Sequence, residues 1–428
     1  MNKFLPIINE NKKSFLGIPV YRKIYYENFV KTYICGIKIK KINIPQKSNT
    51  AINKKSNDEK SKISKNILVR PLNKNNQYTN NLCIGIKIKG GLGDILIGIN
   101  YLFYVKKLIN SNATIDIYAH RNLTLVKSLL PKNNFFNKIF LDNDISDAGN
   151  DNYDLFIVLN RYPDIRRKNM SKIFYFAPEL VDFIHNCEKF RLEHINFFNY
   201  LPVCDGMSNY LSEILNKKRI QQPDIYNMFN ISEKFSYELD ITEAAKRNFN
   251  LWNLSNCKYI TIHRGCDDKQ SLNSIKLWPL SYYNSLVKYI KENFPTLQII
   301  QLGINDDRCP AFDNIDLNLV GKTSIEDIKI ILKNSLLHID GEGGFIHLRH
   351  ALNGGPSVVL FGPTSPLFYG YSENINLRSN GCKYPCEWVI NDWQSRCCRG
   401  YFKHPCMYAL TPEFVFKNIK LFLENYDA

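Results

Sequence analysis

The sequence predicts an α/β chain: two Rossmann-like halves of similar size facing a cleft, behind a small N-terminal leader that contains β-structure. Three observations carry this. Short apolar runs alternate with helical patterns from Leu82 onward, as in a parallel sheet covered by helices. Glycine-rich turns sit where a strand should hand over to a helix, at residues 90–94 and again at 341–344. The 428 residues are 44% hydrophobic and 22% charged, which excludes wholesale disorder and allows more than one core.

The elements follow in order. Residues 1–44 form the leader, where FLGIPVYRK (15–23) echoes in ICGIKIKK (34–41), each alternating apolar and polar after its glycine, as short strands do. Asn, Lys and Ser then dominate a linker over 45–81. The first half, 82–245, opens with strand 82–89 (LCIGIKIK), a glycine turn at 90–94 and helix 95–109. Strands follow at 113–119, 138–141 and 153–159, and 170–245 reads as mostly helical. The second half, 246–410, places strands at 259–263, 297–303, 336–340 and 357–362, with helices at 281–293, 324–334 and 345–352 between them. Thr411 caps a last amphipathic helix over 411–428 with Pro412 at its first position.

Charge is unevenly spread. Residues 1–90 hold 19 Lys or Arg against 4 Asp or Glu, almost all of the chain's net +16. Such a leader suits either a solvated linker or contact with an anionic membrane surface. Neither the charge nor the aromatic spacing suits nucleic acid. No apolar run is long enough to span a membrane and no secretory signal is legible, so the expectation is a cytoplasmic protein, with peripheral contact at the inner face of the cytoplasmic membrane as the alternative the basic leader allows.

Three motifs carry chemistry. Gly93-Asp94 lies at the carboxyl end of the first strand, where open α/β sheets bind ligands. Asp94 there either caps the following helix or takes a proton from an incoming hydroxyl. His263-Arg264-Gly265, followed by Lys276-Leu277-Trp278-Pro279, places basic side chains after the second half's first strand; this is either a solvated loop or a pyrophosphate grip. Asp340-Gly341-Glu342-Gly343-Gly344-Phe345-Ile346-His347 concentrates glycines at a strand–helix turn, a cost in chain entropy that a close backbone approach to a ligand explains.

Five of the twelve cysteines fall together: Cys382, Cys386, Cys397, Cys398 and Cys406. Their spacing suits a tetrahedral structural iron or zinc on Cys382, Cys386, Cys397 and Cys406, with Cys398 the alternative third ligand. The competing reading is a set of reduced thiols packed together without metal.

In this order, from about Leu82 to the C-terminus, the motifs resemble glycosyltransferase family 9, the ADP-heptose-dependent heptosyltransferases of GT-B fold. The resemblance implies an inverting transfer of heptose from ADP-heptose to a hydroxyl of a surface glycan or protein. It places the general base on Asp94 and the phosphate-binding lysine on Lys276. Nucleotide contacts fall on Gly93, His263, Arg264, Asp340 or Glu342, Gly343, Gly344 and His347, with Gly362, Pro363 and Thr364 following. Asp307 falls where an acid meets the ribose. No metal is implied for the chemistry. The cysteine cluster is similar to the iron-binding finger of the autotransporter heptosyltransferase branch; a homo-oligomer is a separate expectation, with the oligomeric state left open. The other readings are a transferase of the same fold using another nucleotide-hexose, and a non-catalytic nucleotide-sugar-binding protein.

Overall fold

The computed structural model describes residues 81–109, 113–119, 123–130, 136–160, 162–193, 239–265, 274–304, 309–382, 385–387, 390 and 392–427. Of the leader it describes the strands between residues 7 and 43. The chain divides into two compact units, Met1–Arg70 with Val389–Asn391, and the remainder. In the first unit β1 (Ile7–Phe15), β2 (Ile18–Tyr26), β3 (Phe29–Ile34) and β4 (Ile37–Asn43) pair antiparallel in sequence order, an all-hairpin sheet.

The second unit holds two sheets. The first has the order β7-β6-β5-β8-β9, from β5 (Leu82–Ile88), β6 (Ala113–Ala119), β7 (Lys138–Leu141), β8 (Leu155–Asn160) and β9 (Tyr162–Lys168). Its helices are α1 (Leu92–Lys107), α2 (Leu123–Leu129), α3 (Met170–Phe176) and α4 (Glu179–Glu193). β5 through β8 are parallel, but β9 folds back antiparallel on β8, so the sheet is mixed rather than wholly parallel. This edge strand is rich in charge and holds a proline, as edge strands commonly do. Asp164 pairs there with Arg166 and Arg191.

After α5 (Glu243–Leu251) comes the second sheet, order β12-β11-β10-β13-β14-β15, parallel throughout. Its strands are β10 (Tyr259–His263), β11 (Gln298–Leu302), β12 (Leu317–Asn318), β13 (His338–Gly341), β14 (Ser357–Phe361) and β15 (Ile375–Arg378). Its helices are α6 (Leu280–Asn293), α7 (Ile325–Asn334), α8 (Gly344–Ala351), the short α9 (Pro366–Tyr369) and α10 (Pro405–Tyr408), and α11 (Pro412–Asp427). Two halves, one a parallel sheet and the other parallel but for its edge strand, with helices on their faces, match the GT-B class.

Packing explains how the halves are held. One apolar cluster runs from Ile84, Ile86 and Leu155 through Ile99 and Leu102 of α1 to Ile331 of α7, Leu348 of α8, and Ile300 and Leu302 of β11. A second fills the other face of the second sheet, where Ile260 and Ile262 meet Leu286 and Ile290 of α6 and Val415, Ile419 and Leu423 of α11. Fully buried Lys329 of α7 ties the halves: its ammonium donates to the carbonyls of Ser128 (2.9 Å) and Asp240 (2.6 Å) and pairs with Glu326. Buried Arg349 donates to the carbonyls of Leu332, Ser335 and Leu336, satisfying the open end of α7.

Candidate active site between the two sheets

The first turn of α1 starts earlier than its sequence suggests. Gly90 takes φ +105°, Gly91 caps the helix in an extended conformation, and Gly93 and Asp94 already lie inside it. The Asp94 carboxylate folds back so that Oδ2 accepts from the Gly91 N–H at 3.0 Å, which is the carboxylate half of a capping box, glycine having no side chain to return the bond. A side chain at Gly90 could not coexist with this, since its Cβ would lie 2.3 Å from that of Asp94.

That turn presses on the second half. A Cβ on Gly93 would sit 2.5 Å from Cδ2 of His347, and one on Gly344 would sit 2.9 Å from Cβ of Leu92. The N-terminal ends of α1 and α8 therefore meet through glycine. The Asp94 turn and the His347 side chain stand against each other.

Behind His347 lies a compact ionic group. Lys276 Nζ bonds Glu342 Oε2 at 2.7 Å, and His347 Nε2 lies 3.7 Å from Glu342 Oε1. His347 Nδ1 is 2.6 Å from the Tyr371 hydroxyl. Burial works to raise the Glu342 pKa, but Lys276 and His347 outweigh it and leave the carboxyl well below its ordinary value. Lys276 is placed by its neighbour: Trp278 is fully buried and its indole N–H donates to the Leu410 carbonyl at 2.7 Å, pinning the loop. Arg264 Nε donates to the Trp278 carbonyl at 3.1 Å from the other side.

At the carboxyl end of β10, His263 Nδ1 lies 2.8 Å from Oδ2 of buried Asp340. Gly362, Pro363 and Thr364 follow β14, with Met407 beside Gly362 and the Pro363 carbonyl accepting from the Cys386 and Glu387 N–H groups. The hydroxyls of Thr364 and Ser365 are buried without a hydrogen-bond partner among the described residues. Thus the structure gathers Gly93, Asp94, Lys276, Glu342, Gly343, Gly344 and His347 around the meeting of α1 and α8. His263, Arg264 and Asp340 line the adjoining strand ends, with Gly362–Thr364 on the next strand. Asp307 lies outside the described residues. Sequence reasoning missed Tyr371, Thr261 and His338; a histidine inside the apolar strand LLHID was the available signal for the last.

The expectation of structural iron or zinc is overturned. Among the described residues no group of three or more His, Cys, Asp or Glu side chains is placed to hold a metal ion. Cys382, Cys386, Cys397, Cys398 and Cys406 form no disulfide among the described residues. Arg399 Nη1 lies 3.0 Å from Cys382 Sγ and 3.8 Å from Cys398 Sγ, a fixed cation among the sulfurs. A hydrogen bond with Cys398, then burial, pushes the Cys386 thiol up. Burial pushes Cys406 up to about 12, while the hydrogen bond with Cys386 lowers Cys398 to about 7.

Residues 220–388 match the family model described as glycosyltransferase family 9 (heptosyltransferase), which supports a glycosyltransferase. Among solved structures, the chain is similar to the Escherichia coli ADP-heptose lipopolysaccharide heptosyltransferase II (17% identity, 81% of this chain and 100% of that one, TM-score 0.48). It is also similar to a glycosyltransferase family 9 protein of Veillonella parvula (13%, 80% and 98%, 0.47). A third is the iron-containing dodecameric glycosyltransferase TibC of enterotoxigenic E. coli (11%, 94% and 84%, 0.48). No curated protein sequence matches the chain.

Proposed function

We propose that the chain transfers heptose, with inversion, from ADP-heptose to a hydroxyl of a surface glycan or protein. The observation that carries the reading is the packing of Gly93 against His347, which sets the Asp94 turn beside the Lys276–Glu342 pair. The heptose donor is supported by the family description. In this reading the diphosphate takes the place of Glu342 on Lys276 and lies along the glycine backbone of 343–344. Asp94 accepts the proton of the acceptor hydroxyl as its oxygen attacks the anomeric carbon. The electron pair of the breaking carbon–oxygen bond passes to the diphosphate, whose growing charge Lys276 and backbone N–H groups stabilise. We place the enzyme in the cytoplasm, with its basic leader toward an anionic membrane. Among the described residues no helix is long and apolar enough to cross one.

Asp94→Asn separates capping from catalysis. An asparagine oxygen can still accept from the Gly91 N–H, so the helix start survives, but it cannot take a proton at neutral pH. Transfer should fall at least about a hundredfold with ADP affinity unchanged; turnover near wild type would refute the role of Asp94. Preference for a UDP-sugar would keep the fold and retire the heptosyl donor.

A further inference from the structure

The two halves meet at one imidazole, and the residue that orients it lies outside the three sequence motifs. His347 of α8 is buried, and its ring is addressed on three edges. Nδ1 lies 2.6 Å from the Tyr371 hydroxyl. Nε2 lies 3.7 Å from Glu342 Oε1. The Cδ2–Nε2 edge carries the first turn of α1: a Cβ on Gly93 would sit 2.5 Å from Cδ2 and 3.2 Å from Nε2. The ring is therefore the bearing between the Asp94 turn of one half and the Lys276–Glu342 pair of the other.

Tyr371 follows the short α9 and is itself braced. The ring of His350, one turn beyond His347 on α8, stacks on it with centroids 3.6 Å apart and planes inclined by 6°. His347 meets the same ring edge-on, at 5.5 Å and 83°. The Tyr371 carbonyl accepts from the Asn376 side-chain amide at 2.8 Å and from the Asn374 N–H at 3.2 Å. His350 Nδ1 in turn bonds Glu373. Two histidines of α8 thus clasp one tyrosine, one by its ring and the other by its hydroxyl.

The hydroxyl does what an apolar ring could not. A phenol both donates and accepts, so its bond to Nδ1 forms whichever ring nitrogen of His347 carries the proton. The outer torsion of a histidine has two broad wells, half a turn apart. Turning His347 into the other well exchanges Nδ1 with Cδ2 and Nε2 with Cε1. That move gives up the Tyr371 bond and takes Nε2 away from Glu342, while Gly93 still presses on the ring. A buried hydrogen bond opposes it.

We infer that Tyr371 is a positioning residue of the proposed transfer: its hydroxyl locks the His347 ring in the orientation that seats the Asp94 turn against the Lys276–Glu342 pair. The effect on rate rests on the transfer reading; the brace rests on the contacts alone. Tyr371 acts through His347 and gives up no proton. A misplacement of about 1 Å between reacting groups costs on the order of a hundredfold in rate. The hydroxyl therefore bears on kcat, and not on the affinity for ADP, which in that reading the second half holds alone.

Tyr371→Phe keeps the ring and its stack on His350 and removes only the hydroxyl. Hydrogen exchange reads the brace without turnover. Across residues 91–97, where the Gly91 N–H bonds Asp94 Oδ2 and the Ile95 N–H bonds the Gly91 carbonyl, exchange should quicken at least about threefold in this variant. Residues 281–293 of α6 should keep the wild-type rate. In a His347→Ala background the same substitution should add nothing at 91–97, because the ring through which the hydroxyl acts is gone. With ADP-heptose as donor, kcat of Tyr371→Phe should fall about tenfold, with the ADP dissociation constant within about threefold of wild type. Unchanged exchange at 91–97, equal quickening in α6, or full additivity with His347→Ala would make the tyrosine merely structural and overturn the inference. Unchanged kcat, or ADP affinity falling in step with it, would overturn it as well. If wild type turns over no ADP-heptose, the transfer reading fails and exchange still decides the brace. If His347→Ala does not fold, the exchange pattern of Tyr371→Phe alone decides it.

Discussion

Replacing Glu342 by Gln should loosen the protein and tighten its grip on ADP at once. Glu342 and Lys276 are 2.7 Å apart, with side chains 10% and 15% exposed. At an effective dielectric of about 20, charges at that distance attract by on the order of 6 kcal/mol before desolvation is counted. Breaking such a nearly buried pair from one side costs about 3–5 kcal/mol, because the lysine loses the Glu342 charge. The urea midpoint of Glu342→Gln should drop accordingly with an unchanged slope. The diphosphate then meets an ammonium without the Glu342 charge beside it, and the ADP dissociation constant should fall at least about tenfold, or about 1.4 kcal/mol. Saturating ADP should return part of the lost stability. The acid limb follows the same logic: a carboxyl with a lowered folded pKa stabilises above its unfolded value, about 4.3, and that stability is lost as pH falls toward the folded pKa. Glu342→Gln should flatten this loss. Weaker ADP binding, or unaltered stability, would refute the reasoning.

Other outcomes follow from the same geometry. Gly93→Ala forces a methyl group against His347 and should cost about 1–3 kcal/mol and depress turnover, whereas Gly91→Ala, whose Cβ clears Asp94 Oδ2 at 4.0 Å, should be mild; equal effects in thermal melts would count against the contact. Lys329→Met removes the buried ammonium from two carbonyls and Glu326 and should destabilise by about 3–5 kcal/mol, with partial recovery in Lys329→Met/Glu326→Gln; a neutral single variant would remove it as the tie between halves. Asp147 is held at about 2 by hydrogen bonds from Lys87 and Lys89, so its stabilising effect should vanish as pH drops from about 4 through 2, and Asp147→Asn should lack that part of the acid transition.

Much of this architecture can be read from residue pattern because parallel strands are buried on both faces. LCIGIK and SVVLF are nearly continuous apolar runs, and both became central strands. β9 escaped because YPDIRRK carries its pairing in the backbone, while its side chains serve ion pairs at an edge. Glycine turns were legible for a similar reason: Gly90, Gly93 and Gly344 each stand where a Cβ would strike a neighbour. What spacing could not reveal was who faces whom. Lys276 and Glu342 were both visible as candidates, yet their ion pair, 66 residues apart in sequence, is a fact of topology. The cysteines show the reverse error. Spacing suggested four thiolates around a metal ion, whereas folding brings the Arg399 guanidinium beside Cys382 and Cys398.

The central claim is that the Asp94 turn and the Lys276 pair act together on one nucleotide-sugar. Its most direct test is ADP release from ADP-heptose by the wild-type chain, Asp94→Asn and Lys276→Ala, with ADP affinity measured by calorimetry on each. The account predicts release by wild type alone, ADP affinity kept in Asp94→Asn, and affinity and release both lost in Lys276→Ala. ADP affinity undiminished in Lys276→Ala, or release by Asp94→Asn at the wild-type rate, would contradict it.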